Sequence, residues 1–325
     1  MEPRGEKLGQ TVLAEDNAAS LPPPHGDGTR RPDRVSPINT ARVVIYGLLI
    51  GVSALWLLPL LWMASVSLKP ASEVSNTDLL PHEPTLTSYK RLLTHDESGA
   101  SVDATGRPVE PTPFYYPLLA RNTLIIALLS LVGMLASSSI AAYGFARIEF
   151  PGRNILFAIC LATMMIPFPV LMVPQYMLFR ALGWIGTFAP LWVPAWFGTA
   201  FNIFLLRQFF MGLPKELEEA AAIDGCSRFG VFWRIMLPLA RPALVVVALL
   251  HIMFVWNDLV GPLIYLSHPD EFTLALGLQF LQARSGDTPW NELMAASTLI
   301  VLPVVILFVF AQRVFIRGVA TTGMK

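Results

Sequence analysis

The sequence predicts an all-α integral membrane protein of six transmembrane helices carrying a polar helix–turn–helix loop between spans four and five. Three observations predict it. Of its 325 residues, 54% are hydrophobic and only 14% charged, against about 25% charged in average soluble domains; the mean hydropathy is +0.55. Six apolar runs, near 43–65, 122–146, 154–178, 186–206, 242–266 and 293–316, each reach the ~20 residues that cross ~30 Å of hydrocarbon. And one stretch between two of these runs, Leu213 to Pro238, is dense in charge.

Residues 1–41 hold Pro22-Pro23-Pro24, Pro32, Pro37 and scattered charges without periodicity, which predicts a disordered, solvated tail. No apolar core precedes Val43, and the run that follows is too long for a signal peptide. Residues 42–325 are expected to form one six-helix transmembrane domain. The first loop, about 66–121, is proline-rich and offers short ordered pieces but no independent domain. Gly133, Ser137 and Ala141 form a small-residue stripe on span two that lets another helix approach. Pro167, Pro169 and Pro174 in span three, and Pro190 and Pro194 in span four, leave carbonyls unpaired. These helices are expected to bend where protein or a wet cavity satisfies them.

The polar loop reads LPKELEEAAAIDGCSRFGVFWRIMLP. Pro214 suits a first helical position, and Glu216, Glu218 and Glu219 follow in or near the first turn, where the helix dipole favours negative charge. Leu213, Leu217, Ala220 and Ala221 fall on one face. Asp224-Gly225 ends that helix, since glycine accepts positive φ. Ser227 caps a second helix with an apolar face of Phe229, Phe232, Trp233 and Met236. Nothing within the loop covers these faces. They lie either on lipid, which the three glutamates disfavour beside an anionic leaflet, or on a soluble partner.

The residues here resemble a known family. Glu219-Ala220-Ala221, then Asp224-Gly225, then Ile235-x-Leu237-Pro238, is similar to the EAA loop in membrane subunits of ATP-binding-cassette (ABC) importers. The wider resemblance is to permeases of the maltose-type sugar importers. It is carried by Ser67-Leu68-Lys69-Pro70, Ala141-Ala142-Tyr143-Gly144-Phe145-Ala146-Arg147, Phe150-Pro151-Gly152-Arg153, Phe204-Leu205-Leu206-Arg207-Gln208-Phe209-Phe210 and Trp256-Asn257-Asp258. It covers roughly residues 43–320. The first forty residues, an enlarged stretch from His95 to Pro113, and the close Thr321 to Lys325 depart from it. The resemblance implies a type I importer fold and a complex with a second permease, two ATPase subunits and an extracytoplasmic solute-binding protein. It implies that a sugar crosses between the two permeases, and that the EAA knuckle seats in an ATPase cleft and passes its motion to the helices. The loop at about 267–292 corresponds to the family's contact with the binding protein.

Other functions find little support. The net charge is zero, so there is no basic footprint for nucleic acid. There is no G-x-x-x-x-G-K-[ST] and no Gly-Lys pair, so another polypeptide binds the nucleotide, and no cofactor is expected. Cys160 and Cys226 have no metal-ligand spacing around them and sit in different environments. No H-E-x-x-H or G-x-S-x-G occurs. Inside the spans, His251 is ten residues (~15 Å) from Arg241 and Asp258 ~26 Å, seven residues apart and hence on one face if the helix is continuous. With Asn257 and Asn202 they are candidates for the substrate path. The same pattern also fits hydrogen bonds between helices, or a proton relay in a transporter acting alone.

Six spans put both termini on one side. Segments on that side hold 16 Lys and Arg, and those opposite hold 7, which places the termini and the knuckle in the cytoplasm. In a cysteine-free background, Ser98→Cys is therefore expected to react with an impermeant maleimide in intact cells and Ser227→Cys not to react. The reverse pattern would overturn the orientation.

Overall fold

The computed structural model describes residues 40–74, 76, 78–94, 101–102, 108–109, 114–283 and 290–322. The tail read over residues 1–41 thus falls almost wholly outside the described residues, as do most of the enlarged stretch at 95–113 and the closing residues 323–325. Contacts divide the chain between Leu55 and Trp56. The described part of the first unit is the opening of helix α1 (Thr40–Ser67). This helix is apolar all round, as a membrane span is, and its large side chains from Val43 to Leu55 are exposed.

In the second unit, α1 ends at Ser67 and is followed by α2 (Thr87–Leu93) and a hairpin of β1 (Ser101–Val102) and β2 (Pro108–Val109). Helix α3 (Tyr116–Arg147) is next, with Pro117 in its first turn, where a missing N–H costs nothing. Its 32 residues span ~48 Å. Then come α4 (Arg153–Ala162), α5 (Phe168–Ala181), α6 (Ala189–Trp192) and α7 (Ala200–Met211). The knuckle holds α8 (Glu216–Ile223), α9 (Arg228–Val231) and α10 (Leu237–Leu239). The chain continues as α11 (Arg241–Trp256), α12 (Val260–Tyr265), α13 (Leu274–Ala283) and α14 (Trp290–Thr322).

Among the described residues, four stretches are long and apolar enough to span unaided; two bent pairs, Arg153–Met165 with Phe168–Ala181 and Arg228–Leu239 with Arg241–Trp256, give up to six if each is one span. The expected bends are sharper than a kink. Span three turns by 97° between Met165 and Phe168. Pro167 has no N–H for the ladder, and Ile166 before it is driven to extended ψ (115°), the conformation its position before proline favours. Span four starts at Ala189 rather than at 186, and a 3₁₀ turn at Val193–Phe197 divides α6 from α7. Span five ends as a helix at Trp256, ten residues short of the expected limit.

Helix α3 is the hub: α7, α11, α13 and the 193–197 turn all pack on it. The small-residue stripe explains the approach of that turn. The Trp196 indole lies against Gly133, where an added Cβ would fall 2.1 Å from Cδ1, and its Nε1 donates to the Leu129 carbonyl (3.0 Å).

Two buried clusters stabilise the ends. Away from the knuckle, Leu92, Phe114, Leu119, Trp256, Leu274 and Leu293 pack together. Polar bonds tie the loops over them: Asn122 Nδ2 donates to the carbonyls of Asp270 (2.7 Å) and Phe272 (3.1 Å), and Leu274 N–H donates to Thr123 Oγ1 (2.9 Å). Arg91 pairs with the buried Glu292 at 2.7 Å. Lys69 is buried and donates to the carbonyls of Asn76 (3.1 Å) and Asp78 (2.7 Å), so this cation organises a loop. The second cluster joins Met134, Tyr143, Leu206 and Phe210 to Ala221, Val231, Phe232 and Met236 of the knuckle.

The Trp196 contact predicts a contrast between two glycines of α3. Gly133→Ala is expected to lower stability in detergent by about 1–3 kcal/mol, as overpacking does. Gly144, where an added Cβ meets nothing within 4 Å, is expected to accept alanine at no cost. Thermal unfolding of the two purified variants measures the difference; equal stabilities would refute the packing role of Gly133.

Candidate functional site

The knuckle is built from local signals. Glu216 opens α8, with Lys215 at its N-cap, so Pro214 lies just outside the helix and not at its first position. All three glutamates fall in the first turn. The end of α8 is a Schellman motif: Cys226 N–H donates to Ala221 O (2.9 Å), Gly225 N–H to Ala222 O (3.1 Å), and Gly225 has φ 79°, as this C-cap requires. Ser227 Oγ accepts from Gly230 N–H at 3.2 Å, the expected N-cap. Downstream, Pro238 has no N–H, and the ladder widens to one π turn at Phe232–Met236, closed by Leu237 N–H on Phe232 O. The chain then bends by 74° at Ala240 into α11.

The two apolar faces are not left whole for an outside partner. The protein's own core takes the inner half of each. Ala221, Val231, Phe232 and Met236 are buried, with Phe232 5.1 Å from the Tyr143 ring and Tyr143 6.0 Å from that of Phe210. The outer half is bare. Leu217 and Ile223 are exposed, and so are Phe229 (68%) and Trp233 (61%), stacked at 6.4 Å. Phe229 and Trp233 line an open groove of about 430 Å³ with Gly225, Cys226, Ser227, Gly230 and Arg234. Of the motif residues, Glu219, Ala220, Asp224 and Gly225 are exposed; Ile235, Leu237 and Pro238 are half-buried and Ala221 is buried.

One arginine ties this knuckle to the bundle, and a second ties the helices that carry it. The Arg147 side chain is only 5% exposed. Its Nε and Nη2 donate to Phe210 O (3.1 and 2.6 Å), and Nη2 also donates to Leu213 O. It thereby caps the negative end of α7. Glu218 Oε1 of α8 lies 3.1 Å from Nε. The Nε proton is directed at Phe210 O, and Glu218 Oε1 has no hydrogen bond of its own, so the pair is held by charge. Arg207 of α7 returns the contact: its Nε donates to Phe145 O near the end of α3 (3.3 Å), and its guanidinium lies over the Phe157 ring at 4.1 Å. Each helix end is thus capped by an arginine of the other. In the sequence Arg147 and Arg207 stand as members of the resembling segments and among the basic residues that orient the chain, and Glu218 as a first-turn acid; none of these readings pairs them. The available signal was a charge at the very end of an apolar run with an acidic helix start beyond it.

The intramembrane polar residues do not converge. His251 is buried, and its Nε2 lies 2.9 Å from Ser130 Oγ of α3, a bond between helices. Asn257 Nδ2 donates to Met253 O (2.7 Å) and closes α11. Asp258 Oδ1 accepts from Gly261 N–H (3.1 Å) and caps α12. His251 and Asp258 therefore do not share a helix face, because the polar pair 257–258 interrupts the helix. Asn202 is buried on α7.

The fold is a bundle of broken membrane helices with a helix–turn–helix knuckle packed into one end. Comparison with known proteins agrees. The chain belongs to the family described as binding-protein-dependent transport system inner membrane component, which matches residues 130–321. The arabinooligosaccharides transport system permease protein AraQ of Bacillus subtilis is 34% identical over 84% of this chain and 92% of its own length. Its counterpart in Halalkalibacterium halodurans is 40% identical over 63% of this chain and 72% of its own. The trehalose/maltose transport system permease protein MalG of Thermococcus litoralis is 30% identical over 87% and 96%. A crystal structure of a bacterial ABC transporter that imports the acidic polysaccharide alginate shares the fold, with TM-score 0.71 and 23% identity over 86% of this chain and 98% of that one. The protein is thus a multi-pass inner-membrane permease subunit of an ABC importer, not itself catalytic, and it works with a solute-binding protein and an ATPase.

The Arg147–Glu218 pair yields a prediction. Arg147→Ala leaves a half-buried carboxylate and the end of α7 without their cation, and is expected to cost roughly 3 kcal/mol in thermal unfolding. Adding Glu218→Gln removes the orphan charge and is expected to recover part of that loss. A double variant no more stable than Arg147→Ala would show that the two side chains are not coupled.

Proposed function

We propose that this permease carries a sugar or oligosaccharide, and that its knuckle couples the membrane path to an ATPase on the cytoplasmic side. In this reading the working assembly holds this chain, a second permease, two ATPase subunits and an extracytoplasmic binding protein. Residues 42–325 act as one permease domain, with both termini in the cytoplasm. The sugar assignment draws on the relatives named for arabinooligosaccharides and for trehalose and maltose. The loop at about 267–292 is the surface offered to the binding protein.

One observation carries the coupling role: the knuckle has two opposed faces. The inner one, through Ala221, Phe232, Met236 and Glu218, is fixed to α3 and α7. The outer one bears Leu217, Ile223, Phe229 and Trp233 with Glu219 and Asp224 beside them, all exposed. A surface that is apolar, acid-flanked and rigidly mounted suits a soluble partner better than an anionic leaflet. Glu219, Ala220, Asp224 and Gly225 meet the ATPase; Ala221, Ile235, Leu237 and Pro238 hold the knuckle's shape. Of the path candidates, Asn257 is exposed and stays in that role. His251, Asp258 and Asn202 serve packing and capping.

Gly225→Val forces a β-branched residue to φ 79°, a strain of about 1–3 kcal/mol, and Glu219→Lys reverses charge on the docking face. Both are expected to insert at normal abundance and to retain less ATPase on co-purification, or to hydrolyse ATP uncoupled from uptake. Wild-type recovery and coupling in both would transfer the knuckle to the lipid surface.

A further inference from the structure

The Ala189–Met211 span is interrupted where a membrane helix tolerates it least. Between Trp192 and Ala200 the backbone is a 3₁₀ turn, then Gly198 at φ 76°, then extended Thr199. Two counts place this break in depth. Helix α7 runs 12 residues from Ala200 to Met211, or ~18 Å from the knuckle end. Trp196 bonds Leu129; the next residue, Ser130, bonds His251, which lies ten residues into α11, ~15 Å from the same end. In ~30 Å of hydrocarbon both positions are near the middle.

Non-helical backbone at that depth does not face lipid. It persists only where protein buries it or where it lines water. This chain does not bury it: Phe197 is 83% exposed and Thr199 is exposed as well. The Thr199 side chain makes no capping bond, and the first N–H groups of α7 point toward the break. Beneath Gly198, Ser138 Oγ is buried without a partner.

Beside this polar gap stands a fixed aromatic surface. Trp196 is held by its bond to Leu129 and by the Gly133 seat, with Trp192 edge-on at 6.1 Å, yet it remains 46% exposed. An indole face is electron-rich. It suits the C–H face of a sugar ring, while hydroxyls on the ring edge suit the Thr199 hydroxyl and the free backbone groups. We propose that Trp196 and Thr199 form a sugar-ring contact in the translocation path, with Trp196 as the stacking surface. This rests on the sugar reading above and adds a site to it.

The test uses the whole transporter in proteoliposomes, with maltotriose and arabinotriose as probes. Trp196→Leu is expected to lower sugar imported per ATP hydrolysed about tenfold, the factor for losing one modest contact, and Trp196→Phe to restore most of it. A structural defect would reduce assembled complex without that rescue by a ring. Separately, Thr199→Cys without other cysteines is expected to react with a charged methanethiosulfonate and to be protected by the imported trisaccharide. Equal import ratios for the Leu variant and wild type would overturn the contact, as would an unreactive Thr199→Cys. Import of neither trisaccharide by the wild-type complex would sink the sugar reading itself, and this ligand with it.

Discussion

The structure depends on how a buried guanidinium is satisfied. Arg147 lies where α3 ends, α7 ends and α8 begins, and its side chain is almost wholly removed from solvent. A charge so placed needs several partners at once. It finds them in the Phe210 carbonyl near the end of α7, in the Leu213 carbonyl just beyond it, and in Glu218 of the knuckle. Meeting that requirement fixes three elements relative to one another. Arg207 repeats the arrangement in the opposite sense through Phe145 O and the Phe157 ring. The aromatic contacts of Tyr143, Phe210 and Phe232 fill the space between. The knuckle is therefore part of the helical core and not an appendage on a loop.

What could be read from the sequence follows the range of each interaction. The all-helical membrane class, the knuckle, the Gly225 reversal and the Ser227 cap were legible because composition or a few neighbouring residues set them. Pro167 showed that span three would bend, but a 97° turn depends on what the two halves pack against. The shared face of His251 and Asp258 assumed a helix that Asn257 and Asp258 themselves interrupt by capping α11 and α12. The inner faces of the knuckle looked uncovered because their covering, on α3 and α7, lies more than 60 residues away in one case. The arginine clasps were missed for the same reason: a charge at the end of a span looks solvated until its distant partner is known.

The breaks and the clasps serve different ends of the same helices. Spans three, four and five are each interrupted, at Pro167, at Gly198 and at Asn257. These interruptions lie away from the knuckle, whereas the Arg147 and Arg207 contacts lie beside it. A helix continuous from a clamped end to a break moves as a rod, and the displacement appears at the break. Helix α7 is such a rod, twelve residues long, with the clasp at one end and the exposed turn of Trp196 to Thr199 at the other.

A rod transmits only if its driven end is stiff and the remainder of the chain can yield. The driven end is stiff because the knuckle reaches α7 through Arg147 by charge and hydrogen bonds at once. The chain changes direction at Ala240, where α9–α10 meet α11 at 74°, just after Pro238, which brings no N–H to the ladder. In the coupling proposed above, a partner that binds the outer face of the knuckle in one of two positions would tilt α3 and α7 without unfolding α11. Its leverage over the path equals the difference in its affinity for the two positions. The interior polar groups need carry no proton for this to work, and they are placed accordingly: His251 against Ser130, Asp258 against the start of α12. In that proposal these bonds would keep the rods in register while the knuckle supplies the bias.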